Sequence, residues 1–255
     1  MAHRLFPVDA ARRVPIERGM IARLVETGLK PFGLRLQRRR PERDPVQHLV
    51  LKAAEHGIST ILDVGANRGQ FGHLLRDEGY TGRIVSFEPL PTCHAALQTA
   101  SRSDPSWDIA PRCALGSSDG TAEMRVAENL VSSSILPVMD RSTDTHAPSR
   151  QIACEEVPLH RLDTLLDLTR PGPFALKIDT QGFELEVLKG ATETLKDTPL
   201  VLLEMSLAPL YEGGAGFAEL YAWMEQAGYR CIGITPGFSN VEHHEQLQAD
   251  ALFVR

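Results

Sequence analysis

From Ser59 onward, short apolar runs alternate with segments whose apolar residues recur at helical spacing. "STILDVGA" reads as a buried strand, and "GQFGHLLRDEG" reads as a helix closed by Gly79. "RIVSFEP" predicts a second strand, "PTCHAALQTAS" a second helix and "WDIAPRCALG" a third strand. "SSDGTAEMRVAEN" pairs an Asp-Gly turn signal with an alternating strand. Residues 129–150 are polar and irregular, a length at which connections are usually functional or disordered. Beyond them come strand "QIACEEVPL", short helix "HRLDTLLDL", strand "FALKID", helix "GFELEVLKGATETLK", strand "LVLLEMSL" and helix "GFAELYAWMEQAG". Two last strands, "YRCIGITP" and "QADALFVR", face each other across "GFSNVEHHEQL". This βαβ alternation predicts a largely parallel sheet with right-handed crossovers and helices on both faces. Ligands of such sheets sit beyond the carboxyl ends of the strands.

The chain has 255 residues, 42% hydrophobic and 24% charged, which suits one large α/β domain with an N-terminal extension. No apolar run approaches the roughly 20 residues of a membrane span. The first residues lack the apolar core of a signal peptide. Cys93, Cys113, Cys154 and Cys231 lie far apart with no CxxC pair, which argues against a zinc cluster and suits a reducing cytosol.

Charge divides the chain. Through Arg43 there are 11 Lys/Arg against 4 Asp/Glu, so a segment of +7 precedes a remainder of −13. Within it, "IERGMIARLVETGL" places Met20, Ile21, Leu24 and Val25 on one helical face. Such a helix could dock on the main domain, on a partner or on an acidic membrane surface, while "RLQRRRPERDP" reads as a solvated face or flexible arm. Residues 1–44 are therefore expected to form a basic, partly helical extension, and 45–255 the main domain. The expected location is cytoplasmic, with peripheral contact at the inner membrane face open through the basic segment. The acidic remainder, without interleaved aromatics, speaks against nucleic acid.

The first strand–helix junction carries the chemistry. Gly65 and Gly69 allow close backbone approach, and the helix that follows offers free N–H groups to a ligand. Asp63 is a poor neighbour for phosphate and a good one for an ammonium group. There is no GK[ST], which excludes a nucleotide triphosphate loop. "VSFEP" puts Glu88 at the end of the second strand, where an acid can accept both hydroxyls of a ribose. An adenosine ligand bearing an amino acid explains both acids.

Together "DVGANRGQFG", "VSFEP", "CALG", "SSSIL", "LKIDTQGFELEVLKGA" and "LLEMSL" resemble, in order and spacing, the FkbM-type S-adenosylmethionine-dependent methyltransferases from about Pro45 to Arg255. The resemblance implies a Rossmann-like seven-stranded class I methyltransferase sheet of order 3-2-1-4-5-7-6, last strand antiparallel. It implies S-adenosyl-L-methionine as cofactor and O-methylation of sugars, glycolipids or polyketide-derived products as activity. Carried over, Asp63, Gly65, Ala66, Asn67, Gly69 and Phe71 form the first cofactor motif. Glu88 and Pro89 fall at the ribose, and Ala114 and Leu115 at the adenine. Asn67 stands where methyltransferases in general have a middle glycine, and FkbM-type proteins commonly have Asn there.

An alcohol is a weak nucleophile until it loses its proton, so a general base or an acidifying metal is expected. Lys177 and Asp179 share a face at the end of a core strand that should otherwise be apolar. Asp179 is expected to be the base, a cofactor contact or a metal ligand, with Lys177 tuning its charge; a buried ion pair or a helix cap is the bland alternative. Glu204 ends the next strand, where it would orient a hydroxyl or share a cation such as Mg²⁺ with Asp179. Glu184 would face the site from the next helix and Glu186 the solvent. His243 and His244 are alternative bases. Ser132, Ser133 and Ser134, with Tyr211, are expected around the acceptor, and Trp107 and Trp223 in packing. Four functions stay open: methylation of a sugar hydroxyl, methylation of a non-sugar natural product, nicotinamide-dependent redox chemistry, or cofactor binding alone. The acceptor is expected to be a small molecule or glycolipid, and an oligomer is allowed.

Overall fold

The computed structural model describes residues 43–165 and 172–255. The amphipathic segment around Met20–Val25 lies outside the described residues. The first described helix, α1 (Pro45–Glu55), was not singled out by periodicity. Its start is nevertheless encoded: Asp44 Oδ1 accepts from the N–H groups of Val46 and Gln47, both at 3.1 Å, and Pro45 opens the first turn.

Alternating units follow: β1 (Thr60–Val64), α2 (Gln70–Asp77), β2 (Arg83–Phe87), α3 (Pro91–Ser101) and β3 (Trp107–Ile109). Then come β4 (Ala114–Leu115), β5 (Gly120–Ala127), α4 (Asp140–Thr145), β6 (Gln151–His160) and α5 (Leu162–Leu165). The last part holds β7 (Phe174–Ile178), α6 (Glu184–Lys189), β8 (Leu200–Ser206), α7 (Phe217–Gln226), β9 (Arg230–Pro236), β10 (Ser239–Asn240), β11 (Glu245–Gln246) and β12 (Gln248–Val254). The seven-stranded sheet runs β3-β2-β1-β7-β8-β12-β9. Numbered within that sheet alone, the order is the expected 3-2-1-4-5-7-6. β12 is antiparallel to both neighbours, as expected of the last strand.

Every residue of β1 and of β7 is buried, and each strand feeds two cores. Leu62, Val64, Leu176 and Ile178 pack with Val187 and Leu188 of α6 and Leu220 and Met224 of α7. Ile61 and Ala175 pack on the other side with Leu49, Leu75 and Leu97 of α1, α2 and α3. Burial on both faces explains why these strands read as continuous apolar runs. The exceptions align. Asp63 of β1 is in register with Ser86 of β2 on one side and Lys177 of β7 on the other. In-register residues of parallel strands share a face about 4.8 Å apart, so the three polar side chains meet inside the core.

Several expectations are corrected. "WDIAPRCALG" is not one strand: β3 ends at Ile109, and β4 joins a separate three-stranded sheet, β4-β6-β5. Pro111 between them lacks the N–H that a continuing ladder needs. The helix after Phe183 stops at Lys189, where the backbone of Gly190 packs against Gly116. Residues 129–150 hold α4 and a 3-10 turn, Ala147–Ser149, and bridge to β5 and Tyr211. The segment between the two last strands forms the β10–β11 hairpin. Among the described residues, no helix is long and apolar enough to cross a membrane.

One close approach ties the sheet's carboxyl edge together. Gly65 has φ +79°, and a Cβ there would lie 1.8 Å from the carbonyl oxygen of Asp179. Only glycine supplies both the left-handed turn and the missing atom. The loops after β1 and β7 therefore touch backbone to backbone.

Candidate active site

A crevice of about 640 Å³ opens beyond β1, β2 and β7. Its floor includes Gly65, Asn67 and Glu88, and its walls include Leu115, Met124 and Phe183. Glu88 is 4% exposed. Its Oε2 accepts from Asn67 N and its Oε1 from Leu90 N, both at 2.8 Å. Burial pushes the Glu88 carboxyl up to about 7, against the two backbone hydrogen bonds that pull it down. Asn67 adopts φ +49°, which turns its N–H onto Glu88. Pro89, Ala114 and Leu115 line the same crevice. The crevice thus sets one buried acid, Glu88, beside the apolar walls of Leu115 and Phe183.

Asp63 does not take part in that surface. It is fully buried, accepts from Ser86 Oγ at 3.1 Å and lies 3.1 Å from Lys177 Nζ. The contact with Lys177 is an ion pair and not an aligned hydrogen bond. The expected ligand ammonium at Asp63 is therefore corrected: the ammonium that Asp63 balances is that of Lys177. Lys177 also donates to Gly65 O at 3.0 Å and sits 5.3 Å from the centre of the Phe71 ring. Burial alone would lower its pKa, but Asp63 and Asp179 outweigh that and raise it. Lys177 is a cation locked below the glycine loop, 3.8 Å from Asp179 Oδ2. Ala66 and Phe71 border a neighbouring cavity instead of the 640 Å³ crevice. Gly69 caps α2 against Leu97 and Trp107.

Asp179 is the pivot of the site. Its side chain, 36% exposed, borders the 640 Å³ crevice and a second cavity of about 870 Å³. That second cavity carries Asn129, Ser132, His146, Tyr211, Glu204 and Gln248. Gln181, which the sequence reading did not single out, joins the two. Its Nε2 lies 2.7 Å from both Asp179 Oδ1 and Glu204 Oε2, and its Oε1 accepts from Tyr211 Oη at 2.6 Å. Gln248 Nε2 adds a 2.7 Å bond to Glu204 Oε2. Burial, together with Asp179, Glu184 and Asp250, pushes Glu204 well above the usual carboxylate range. Burial and Asp179 likewise raise Asp250, on β12, to about 6. A divalent ion shared by Asp179 and Glu204 does not fit this arrangement, because an amide donor already bridges them. Among the described residues no group of three or more His, Cys, Asp or Glu is disposed as a metal site.

The serines divide by role. Ser132 borders the second cavity and bonds Asn129 and Ser149. Ser133 Oγ accepts from Ala127 N, and Ser134, fully buried, donates to Gln181 O at 2.7 Å. Ser134 is thus a support and not an acceptor contact. Glu184 is 2% exposed and accepts from the N–H groups of Thr180 (2.9 Å) and Gly182 (3.0 Å), so it fastens the 179–184 turn and does not face a ligand. Glu186 binds Lys189 and Ser117. Trp107 is buried and donates to Ser86 Oγ at 3.0 Å, and Trp223 packs on the core. His243 and His244 are exposed at the tip of the β10–β11 hairpin and border neither cavity. The structure does not bring them to Asp179.

The chain matches the Methyltransferase FkbM domain over residues 63–231. Among curated proteins it is 30% identical over 156 residues to Methyltransferase sdnD of Sordaria araneosa, covering 52% of this chain and 60% of that protein. It is 27% identical over 171 residues to Hexuronic acid methyltransferase AglP of Haloferax volcanii, covering 67% and 65%. It is 26% identical over 185 residues to Methyltransferase 1 of Beauveria bassiana, covering 67% and 72%. The matches thus span less than two thirds of the first two relatives. The match to the domain runs from the end of β1 to the start of β9 and takes in Glu88, Asp179 and Glu204: the chain belongs to the FkbM methyltransferase family.

Proposed function

We propose that the protein is an S-adenosylmethionine-dependent O-methyltransferase whose acceptor is a hydroxyl of a sugar, glycolipid or other glycoconjugate. The observation that carries this reading is that Asp179 borders both the 640 Å³ crevice and the second cavity, so one carboxylate stands where cofactor and acceptor would meet. Glu88 would hold the ribose hydroxyls, Gly65 and Asn67 would approach the cofactor through backbone, and Leu115, Met124 and Phe183 would flank the adenine. Bound there, S-adenosylmethionine supplies an electrophilic methyl carbon on a good leaving group. The protein's own contribution is to hold the acceptor oxygen in line and to take its proton, and positioning of this kind is worth several kcal/mol. Asp179 is the proton acceptor in this reading.

The second cavity favours a hydroxyl-rich acceptor. Asn129, Ser132, Gln181, Tyr211 and Gln248 present amides and hydroxyls, which match sugar hydroxyls one donor or acceptor at a time. A relative whose name specifies hexuronic acid supports the sugar class. A polyketide or other non-sugar alcohol is the alternative acceptor, and the division into an extension (1–44) and a catalytic domain (45–255) belongs to the same proposal. The test is Asp179→Asn assayed by tritiated-methyl transfer over a panel of glycosides and polyketide alcohols. Turnover should fall by about 100-fold or more, the usual scale of general-base catalysis, with cofactor affinity within a few-fold. Undiminished turnover removes Asp179 from the reaction, and label on nitrogen or carbon overturns O-methylation.

A further inference from the structure

We propose that Gln181 is the positioning residue of the site: its side-chain amide holds Asp179 and Glu204 side by side as hydrogen-bond acceptors, leaving Asp179 able to take the acceptor's proton. The inference rests on the reading of Asp179 as the base. Gln181 sits in a tight turn, with φ +56°, a conformation that costs a side-chain-bearing residue energy and needs surrounding support. The support is present on every side. Ser134 donates to its carbonyl oxygen, and Glu184 accepts from the flanking N–H groups of Thr180 and Gly182. Gly182, at φ +97°, lets Tyr211 pack so closely that a Cβ would lie 2.8 Å from the tyrosine Cβ.

The amide oxygen is turned towards Tyr211, whose hydroxyl lies 2.6 Å from it and 3.3 Å from Ser132 O. Tyr211 is buried, and its burial and the neighbouring acids keep the phenol protonated. Its hydroxyl donates to Gln181 Oε1, which leaves both amide hydrogens for Asp179 Oδ1 and Glu204 Oε2. A glutamate at 181 would offer neither hydrogen and would add a third acid. The charged and titratable groups around the pair are Lys177 from β7, Glu184 from α6, Asp250 from β12, Tyr211 and, across the second cavity, His146. N–H donors favour ionised carboxylates over protonated ones, so losing them lets Glu204 keep its proton to higher pH.

The experiment is carboxyl ¹³C NMR titration of the full chain, labelled at Asp and Glu, in wild type, Gln181→Met and Tyr211→Phe, with melting curves to establish folding. No acceptor is needed. The titration midpoint of Glu204 should rise by about one pH unit in Gln181→Met, equivalent to tenfold in proton affinity, and by less in Tyr211→Phe, which frees only the far end of the amide. Folded variants with an unmoved midpoint overturn the proposal, as does a midpoint that falls. Should Asp179→Asn keep full turnover while the midpoint moves as expected, the base reading falls and the hydrogen-bonded placement by Gln181 stands; an unmoved midpoint with turnover lost in Asp179→Asn sinks the Gln181 proposal alone.

Discussion

Glu184→Gln should make the protein more stable, and increasingly so as pH rises. Glu184 is 2% exposed, and burial lifts its carboxyl from an ordinary value near 4.5 to about 7. Its Oε1 accepts from Thr180 N, Gly182 N and Thr180 Oγ1, a set that a glutamine oxygen can also satisfy. The substitution therefore keeps the acceptor and removes the ionisable proton. The sign follows from proton counts. Below about pH 4.5 the folded and unfolded chains both carry the proton, and Glu184 makes no pH-dependent contribution. Between 4.5 and 7 the unfolded chain loses its proton while the folded chain keeps it, so wild-type stability falls as pH rises. Those two pKa values give a change of about 2.5 kcal/mol between pH 5 and pH 8, at about 1.36 kcal/mol per unit. For a domain of this size the gap between variant and wild type should widen by roughly 5–10 °C in melting temperature. Urea unfolding of both proteins at pH 5, 6, 7 and 8 measures it. A gap that stays constant across that range would refute a buried, proton-holding Glu184. Glu184→Leu is the counterpart: it strands three donors and should destabilise at every pH by about 2–5 kcal/mol.

Two further outcomes test the same site. Glu88→Gln should weaken S-adenosylmethionine binding by about tenfold or more, because an amide opposes one of the two backbone donors and loses a charged acceptor. Wild-type affinity should itself decline as pH drops through about 7, where the carboxyl gains a proton, and calorimetric titration at pH 5.5, 6.5 and 8 reads both effects; pH-independent affinity would count against Glu88 as the ribose acceptor. Lys177→Met should cost about 3–5 kcal/mol by leaving Asp63 charged and alone in the core, and adding Asp63→Leu should recover much of that loss. A Lys177→Met protein with native stability but no turnover would make Lys177 catalytic and not structural.

The sequence pattern located the carboxyl edge of the sheet well because it depends on strand order, which the βαβ rhythm encodes. Gly65, Glu88 and Asp179 all fall on that edge. Asp63 was misread because its partner is set by register: Ser86 and Lys177 stand 23 and 114 positions away along the chain and become neighbours only when three strands align. Lys177 was noticed as a charge in an apolar strand, but the ion pair weighed for it was with Asp179, at 3.8 Å, whereas its closer and fully buried partner is Asp63 at 3.1 Å. Gln181, Gln248 and Asp250 escaped notice for different reasons. Gln181 works through a left-handed turn that glutamine seldom adopts, and the other two reach the site from a strand inserted between β8 and β9. His243 and His244 looked usable because they lie between two strands near the correct edge. A short hairpin, invisible as periodicity, aims them at solvent. The Asp44–Pro45 start of α1 was legible as a cap but lay directly after the basic run that drew attention.

The backbone contact between Gly65 and Asp179 makes the rear of the cleft a welded seam: the loop after β1 cannot swing away without dragging the loop after β7 with it. Val131, 54% exposed, borders both cavities and also the space beside Phe71. A solvent-facing valine is thus common to all three spaces around Asp179.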